Sequence, residues 1–244
     1  MSGFVIIVFL WYGAKSAFDV PSYILPGPVD VAKALAETAG SGQLFESAVA
    51  SLFRVTWGFY LAVVTAVPLG LLMGRIRRFR DVLNPVIQFL RPISPLAWIP
   101  MALMWFGIGD RPAIFLIYLS AFFPMVVFTV SGVAGIKGTF LQVAENFGLK
   151  GYELYMKVIL PAALPEIIVG LRITLGTAWL VIVAAEMIAV KSGLGYLIID
   201  ARNSLRMDKV VAGMLVIGII GLCLDYLVRL LERLPWVEWC RMRR

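Results

Sequence analysis

Few residues in this chain can carry charge or a proton, and four of them stand where charge is expensive. Arg54, Arg91, Arg172 and Glu186 lie within long apolar runs, and an ionisable group in hydrocarbon must face protein or a water-filled path. Arg172 and Glu186 share one helical run but are fourteen residues apart, about 21 Å at the rise of an α-helix, so they cannot pair directly. For Arg54 and Arg172, each near an end of its run, snorkelling to the interface stands beside contact with a transported solute. Glu186 reads as a buried, paired carboxylate, with an arginine of the loop that follows it as the first choice of partner. Catalytic chemistry has no foothold. Histidine is absent, which removes a Ser-His-Asp triad. Cys223 and Cys240 have neither CxxC nor metal-ligand spacing. The segment AVKSGLG has the letters of a phosphate loop without its spacing. The chain is expected to be non-catalytic, with no cofactor or metal of its own.

Composition says what must position those charges. Of 244 residues, 61% are hydrophobic and 15% charged, with mean hydropathy +0.90, which is too little charge to coat a soluble globule. The chain reads as an all-α integral membrane protein. Its net charge of +7 does not point to nucleic acid, because the basic residues fall between apolar runs rather than on one water-facing surface.

Six spans are expected. The first lies within Phe4–Phe18, short for the roughly 20 residues that cross a bilayer, and it lacks the basic start and cleavage site of a signal peptide. A surface helix follows Pro28, with Val31, Leu35 and Ala39 on one face. The second span, Phe45–Gly74, carries Gly58, Ala62, Ala66, Gly70 and Gly74 every four residues, a groove for close helix packing. RIRRFRD at Arg75–Asp81 marks a cytoplasmic loop under the positive-inside rule. The third span, Leu83–Phe106, is broken by Pro85, Pro92, Pro95 and Pro100 and should be kinked or locally opened. GIGDRP is then external, Ala113–Gly135 is the fourth span, Val169–Val190 the fifth, Lys191–Asp208 an external loop and Val210–Leu231 the sixth. Both termini are placed in the cytoplasm, with Trp236 and Trp239 suited to the interface. Lys191, Arg202, Arg206 and Lys209 leave the last external loop unusually basic.

Between the fourth and fifth spans runs Lys137–Ile168, KGTFLQVAENFGLKGYELYMKVILPAALPEII, neither span nor loose linker. Its helical patterning, Gly148 and Gly151, and prolines Pro161 and Pro165 predict a short amphipathic helix, a turn, and a second helix begun at the prolines. Phe140, Leu141, Ala144 and Phe147 are expected to form one apolar ridge that Gly148 ends. Such a ridge docks a partner or lies on lipid.

Gly148 followed after nine residues by Val158-Ile159-Leu160-Pro161 resembles the EAA loop of type I ABC-importer permeases. The runs LPGP at Leu25, RPISPLAWIPMALMWFGIG from Arg91 to Gly109, LPAALPEIIVGLRITLGTAW from Leu160 to Trp179, and AAEM followed by GLGYLI resemble the nitrate/sulfonate/taurine/bicarbonate group. The resemblance covers nearly the whole chain. It implies a single permease domain over 1–244 in a bacterial inner membrane, with a cytoplasmic coupling-helix loop at 137–166. It also implies a homodimer, two cytoplasmic ABC ATPase subunits holding ATP and Mg, and an external substrate-binding protein.

The ATPase contacts carried over are Phe140, Leu141, Gln142, Ala144, Glu145, Phe147 and Gly148. Gln142-Val143-Ala144 stands where the family has Glu-Ala-Ala, so the first charge is missing and Glu145 is the nearest substitute. For a small anion the path needs donors without a deep well. Arg91, Ser94, Trp98, Arg172, Thr174 and Thr177 are the candidates, with Trp179 also shaping the passage and, for each hydroxyl, a bond back to its own helix as the competing reading. A stand-alone carrier or channel is the alternative function. It predicts paired broken helices in inverted repeats.

Overall fold

The structure is a computed structural model, and it describes residues 11–13, 21 and 24–232. The expected first span, apart from residues 11–13, and Trp236 and Trp239 with the arginines beyond them, lie outside these residues.

Every described element is helical. They are α1 (Pro28–Gly40), α2 (Gln43–Arg75), α3 (Arg77–Leu90), a 3-10 turn (Pro95–Trp98), α4 (Ile99–Phe106), α5 (Asp110–Ala134) and α6 (Gly138–Asn146). A long helix α7 (Gly151–Ala189), then α8 (Leu194–Asn203) and α9 (Met207–Glu232), complete the set. Among the described residues four helices, α2, α5, α7 and α9, are long and apolar enough to cross a membrane, or five if α3 and the Pro95–Phe106 segment together count as one.

The centre is α5, whose Leu116, Ile117, Ala121 and Met125 are fully buried. Helix α2 lies against it along the small-residue stripe, with Ala62 and Ala66 at zero exposure. A Cβ on Gly70 would sit 2.5 Å from that of Thr129, and one on Gly74 2.5 Å from that of Val133. No side chain larger than glycine fits there, so the four-residue period creates close helix contact. On its other side α5 meets α7, where a Cβ on Gly170 would fall 2.7 Å from that of Phe128.

Two expectations need correction and one is narrowed. The third span is opened rather than kinked: α3 and the segment after it meet at 86°, because Pro92 and Pro95 flank a break at which α3 ends. Pro161 and Pro165 do not separate two helices. The helix runs through both, and a π turn at Tyr155–Ile159 absorbs the first proline, with the Leu160 amide donating five residues back to the Tyr155 carbonyl. The external loop Lys191–Asp208 is not a loop either. It holds α8, whose Leu194, Leu197, Ile198 and Ala201 are buried against neighbours that include α7 and α9.

Helix α1 starts as its sequence suggests, Pro28 in its first turn and the Asp30 carboxylate accepting the Gly27 amide at 2.9 Å. Its buried face is Val31, Ala34 and Thr38, of which Val31 and Ala34 pack with Ala212 on α9. Leu35 is half-buried and Ala39 exposed, so the face is turned from the expected one. Glu37 anchors it from outside, accepting from Lys209 Nζ at 2.8 Å and Arg206 Nη2 at 2.9 Å.

Candidate functional site

Two places in the fold gather the candidate residues, one on α6 and one at the bend between α3 and α4. On α6 the nine-residue helix has two unlike faces. Ala144 is buried and Leu141 half-buried against the core, where Leu149 joins them. Phe140, Val143 and Phe147 point outward, Phe147 at 79% exposure. The ridge read from sequence therefore divides: Leu141 and Ala144 seat the helix on its own protein, and Val143 replaces them on the outer face. The periodicity of one helical turn could not say which apolar arc faced home.

The end of α6 is closed by a Schellman turn. Gly148 adopts φ +74°, its amide donates to the Glu145 carbonyl at 2.9 Å, and the Leu149 amide donates to the Ala144 carbonyl at 3.0 Å. Gln142 is exposed. Glu145 is exposed too and accepts from Arg75 Nη2 at 3.4 Å, which ties α6 loosely to the end of α2.

The second place is a cavity of about 290 Å³, lined by Arg91, Ile93, Pro95 and Trp98 from the bend, Leu119, Ser120, Phe123 and Pro124 from α5, and Thr177, Leu180 and Val181 from α7. It is mostly apolar, with one guanidinium and two hydroxyls. Both hydroxyls donate to their own helices, Ser120 Oγ to the Ile117 carbonyl at 2.7 Å and Thr177 Oγ1 to the Thr174 carbonyl at 2.9 Å. Their lone pairs still leave them able to accept, and a rotated hydroxyl can donate to a solute.

The remaining candidates sit elsewhere. Ser94 is exposed at the start of the 3-10 turn. Thr174 is fully buried and donates to the Gly170 carbonyl at 2.7 Å. Arg172 donates through Nε to Asp225 on α9 at 2.7 Å. Trp179 is buried and donates from its indole to the Ile217 carbonyl at 3.1 Å, so it packs α7 on α9. Ser120 in the cavity wall was missed by the sequence reading, since nothing in LSAFF marks it.

Arg54 is not placed as its sequence neighbourhood suggests, and Glu186, buried and paired as expected, has another partner than the one expected. Arg54 does not snorkel: it is 2% exposed and its Nη1 lies 2.6 Å from Oε1 of Glu186. Glu186 therefore pairs with an arginine of α2, not with one of the basic segment after it.

The family model for the binding-protein-dependent transport system inner membrane component matches residues 66–236. The chain belongs to this family. The permease is 44% identical over 206 residues to a putative ABC transporter permease protein of Methanocaldococcus jannaschii, covering 84% of this chain and 77% of that one. It is 38% identical over 233 residues to a putative aliphatic sulfonates transport permease protein of Bacillus subtilis, covering 95% and 84%. Its fold is similar to a chain of the MetNI methionine ABC transporter, crystallised in inward-facing conformations, with TM-score 0.63, 20% identity and coverage of 78% and 97%. The permease is thus an all-α, multi-pass inner-membrane transport component of the ABC-importer fold, and it is not itself an enzyme.

Proposed function

We propose that the permease is the membrane subunit of an ATP-driven importer for a small anion. It works as a homodimer with two cytoplasmic ATPase subunits, which hold ATP and Mg, and an external substrate-binding protein. All of 1–244 forms one permease domain, crossing the membrane six times with both termini cytoplasmic, and 137–166 forms the coupling loop.

The observation that carries this reading is the divided face of α6. Leu141, Ala144 and Leu149 hold it on the core, while Phe140, Val143 and Phe147 stay outside as anchors for an ATPase cleft. Because the Schellman turn leads through a short connection into the helix continuous to Ala189, displacement of α6 is passed to the cavity wall at Thr177, Leu180 and Val181 without a flexible linker. ATP binding draws the two α6 helices together and turns the path outward, and hydrolysis resets it.

The small anion is supported by the sulfonate named for one relative and by the nitrate, taurine and bicarbonate group that the sequence resembles. Arg91 supplies the attraction at the bend, Trp98 and Thr177 line the way past it, and Ser94 stands exposed beside them at the start of the 3-10 turn. Among the described residues no second cation lines the cavity to deepen the well. Thr174 fixes the turn below Thr177, and Arg172 holds α7 to α9. Selection belongs to the binding protein.

Purification from native membranes tests this. An ATPase subunit should accompany the permease, and uptake into liposomes should require ATP and the binding protein. Uptake by the permease alone would contradict it.

A further inference from the structure

The outer ends of three helices converge on one charge cluster that the path does not use, buried at Arg54 and Glu186 and open to solvent at Asp110. Arg54 of α2 donates through Nε to Asp110 at the start of α5 at 2.7 Å and through Nη1 to Glu186 of α7 at 2.6 Å. It also donates to the segment that precedes α8, through Nη1 to the Ser192 carbonyl at 2.9 Å and through Nη2 to the Ser192 hydroxyl. Glu186, at zero exposure, further accepts from Ser51 Oγ at 2.8 Å and from the Gly195 amide at 2.9 Å. Ser51 Oγ in turn accepts the Leu194 amide at 2.9 Å.

The backbone is shaped around the carboxylate. A Cβ at Gly193, whose φ is +103°, would lie 2.3 Å from Oε1 of Glu186, and one at Gly195 would lie 2.3 Å from the Val183 carbonyl. Among the described residues no buried side-chain nitrogen or oxygen lacks a partner. Asp110 is exposed at the rim of the cluster, but the Arg54 guanidinium and the Glu186 carboxylate are buried. Separating these elements would therefore break a buried, hydrogen-bonded ion pair, a cost far above that of parting an apolar contact. Glu186 stands nine residues beyond Thr177 on α7, about 14 Å along the axis, so the cluster also fixes where the cavity wall sits.

We propose that Ser51, Arg54, Asp110 and Glu186 form a permanent external clasp. Throughout the transport cycle the outer ends of α2, α5 and α7 move with α8 as one body, and the path opens outward between subunits, not by α8 lifting from its own subunit. These are positioning residues, and the proposal rests on the two-subunit importer described above.

Spin-label distances in the assembled transporter test it. Nitroxides go on Glu46→Cys and Asn203→Cys, both exposed in the wild type, in a Cys223→Ser, Cys240→Ser background, with labelled subunits diluted into unlabelled ones. Between nucleotide-free and ATP-trapped complexes the within-subunit distance should change by less than about 2 Å, while the Asn203-to-Asn203 distance across subunits shifts by roughly 5 Å or more. A within-subunit shift of that size overturns the proposal, as do two static distances in a sample that turns over ATP. Ser51→Ala, which removes the hydroxyl bridging Glu186 and Leu194, should broaden the within-subunit distribution, and an unchanged width would also overturn the proposal. Failure of the importer reading registers separately, as the absence of an ATPase from the purified complex.

Discussion

Leu149 reaches back over Gly148 to hydrogen-bond Ala144, amide to carbonyl, at 3.0 Å. One of these residues is buried and the other half-buried in the same core cluster, so the turn that ends α6 is fastened by both backbone and side chains. Phe147 projects from the middle of that fastened turn.

Gly148→Ala places a Cβ on a backbone at φ +74°, a conformation that costs a non-glycine residue about 1–2 kcal/mol. Space is not the obstacle, since none of the described residues lies within 4 Å of the added atom. The variant should insert normally, lose a few degrees of thermal stability, and show a lower ratio of substrate-stimulated to basal ATPase activity. Gly148→Asn, which tolerates the left-handed region better, should recover part of that ratio.

Gly70→Val tests the contact between α2 and α5. Its Cβ alone would lie 2.5 Å from Cβ of Thr129, so the helices must part along the stripe that Ala62 and Ala66 share. The expected result is loss of folded protein in detergent, at a cost of about 3 kcal/mol or more by the measure of overpacked cores. Gly218→Val is the control, because a Cβ on that glycine would have none of the described residues within 4 Å and its variant should be recovered at wild-type yield.

Arg91→Gln removes the one cation among the described residues that line the cavity while keeping a polar side chain. Uptake of the anion should fall about tenfold or more, with basal ATPase activity retained, as loss of roughly 1.4 kcal/mol or more of attraction implies. Uptake at the wild-type rate would remove Arg91 from the path.

Acidification should loosen α1. Hydrogen bonds from Lys209 and then Arg206 hold the Glu37 carboxyl below its usual range. A carboxylate whose folded pKa is depressed stabilises the fold above its unfolded value and loses that contribution as pH falls through the folded one. Amides of α1 should therefore exchange faster relative to those of α5 at about pH 3 than at pH 7, after correction for intrinsic rates. In Glu37→Gln the two helices should keep the same ratio across that range.

Much of this was legible because it depends on local pattern. The stripe Gly58–Gly74 and the glycine closing α6 are fixed by spacing and by backbone sterics, and the residues found there behave accordingly. What was not legible depends on partners distant in sequence. Nothing near Arg54 indicates a carboxylate 132 residues away, and an arginine near the end of an apolar run looks the same whether it snorkels or is buried. Pro161 announces a helix break, but a π turn upstream lets the helix continue, an accommodation that no composition reveals. The glycines after Glu186 were the available signal, since Gly193 and Gly195 clear the space its carboxylate occupies.

The central claim is that Phe147, exposed on the fastened turn, is where a partner's motion enters the permease. Phe147→Glu should leave insertion, folding and the within-subunit hydrogen bonds intact, because the side chain is 79% exposed. Substrate-stimulated ATPase activity of the purified complex is the measurement. The account predicts its loss to the basal rate in the Phe147→Glu complex, with the mutant permease still in the membrane. Wild-type stimulation in that variant would contradict it.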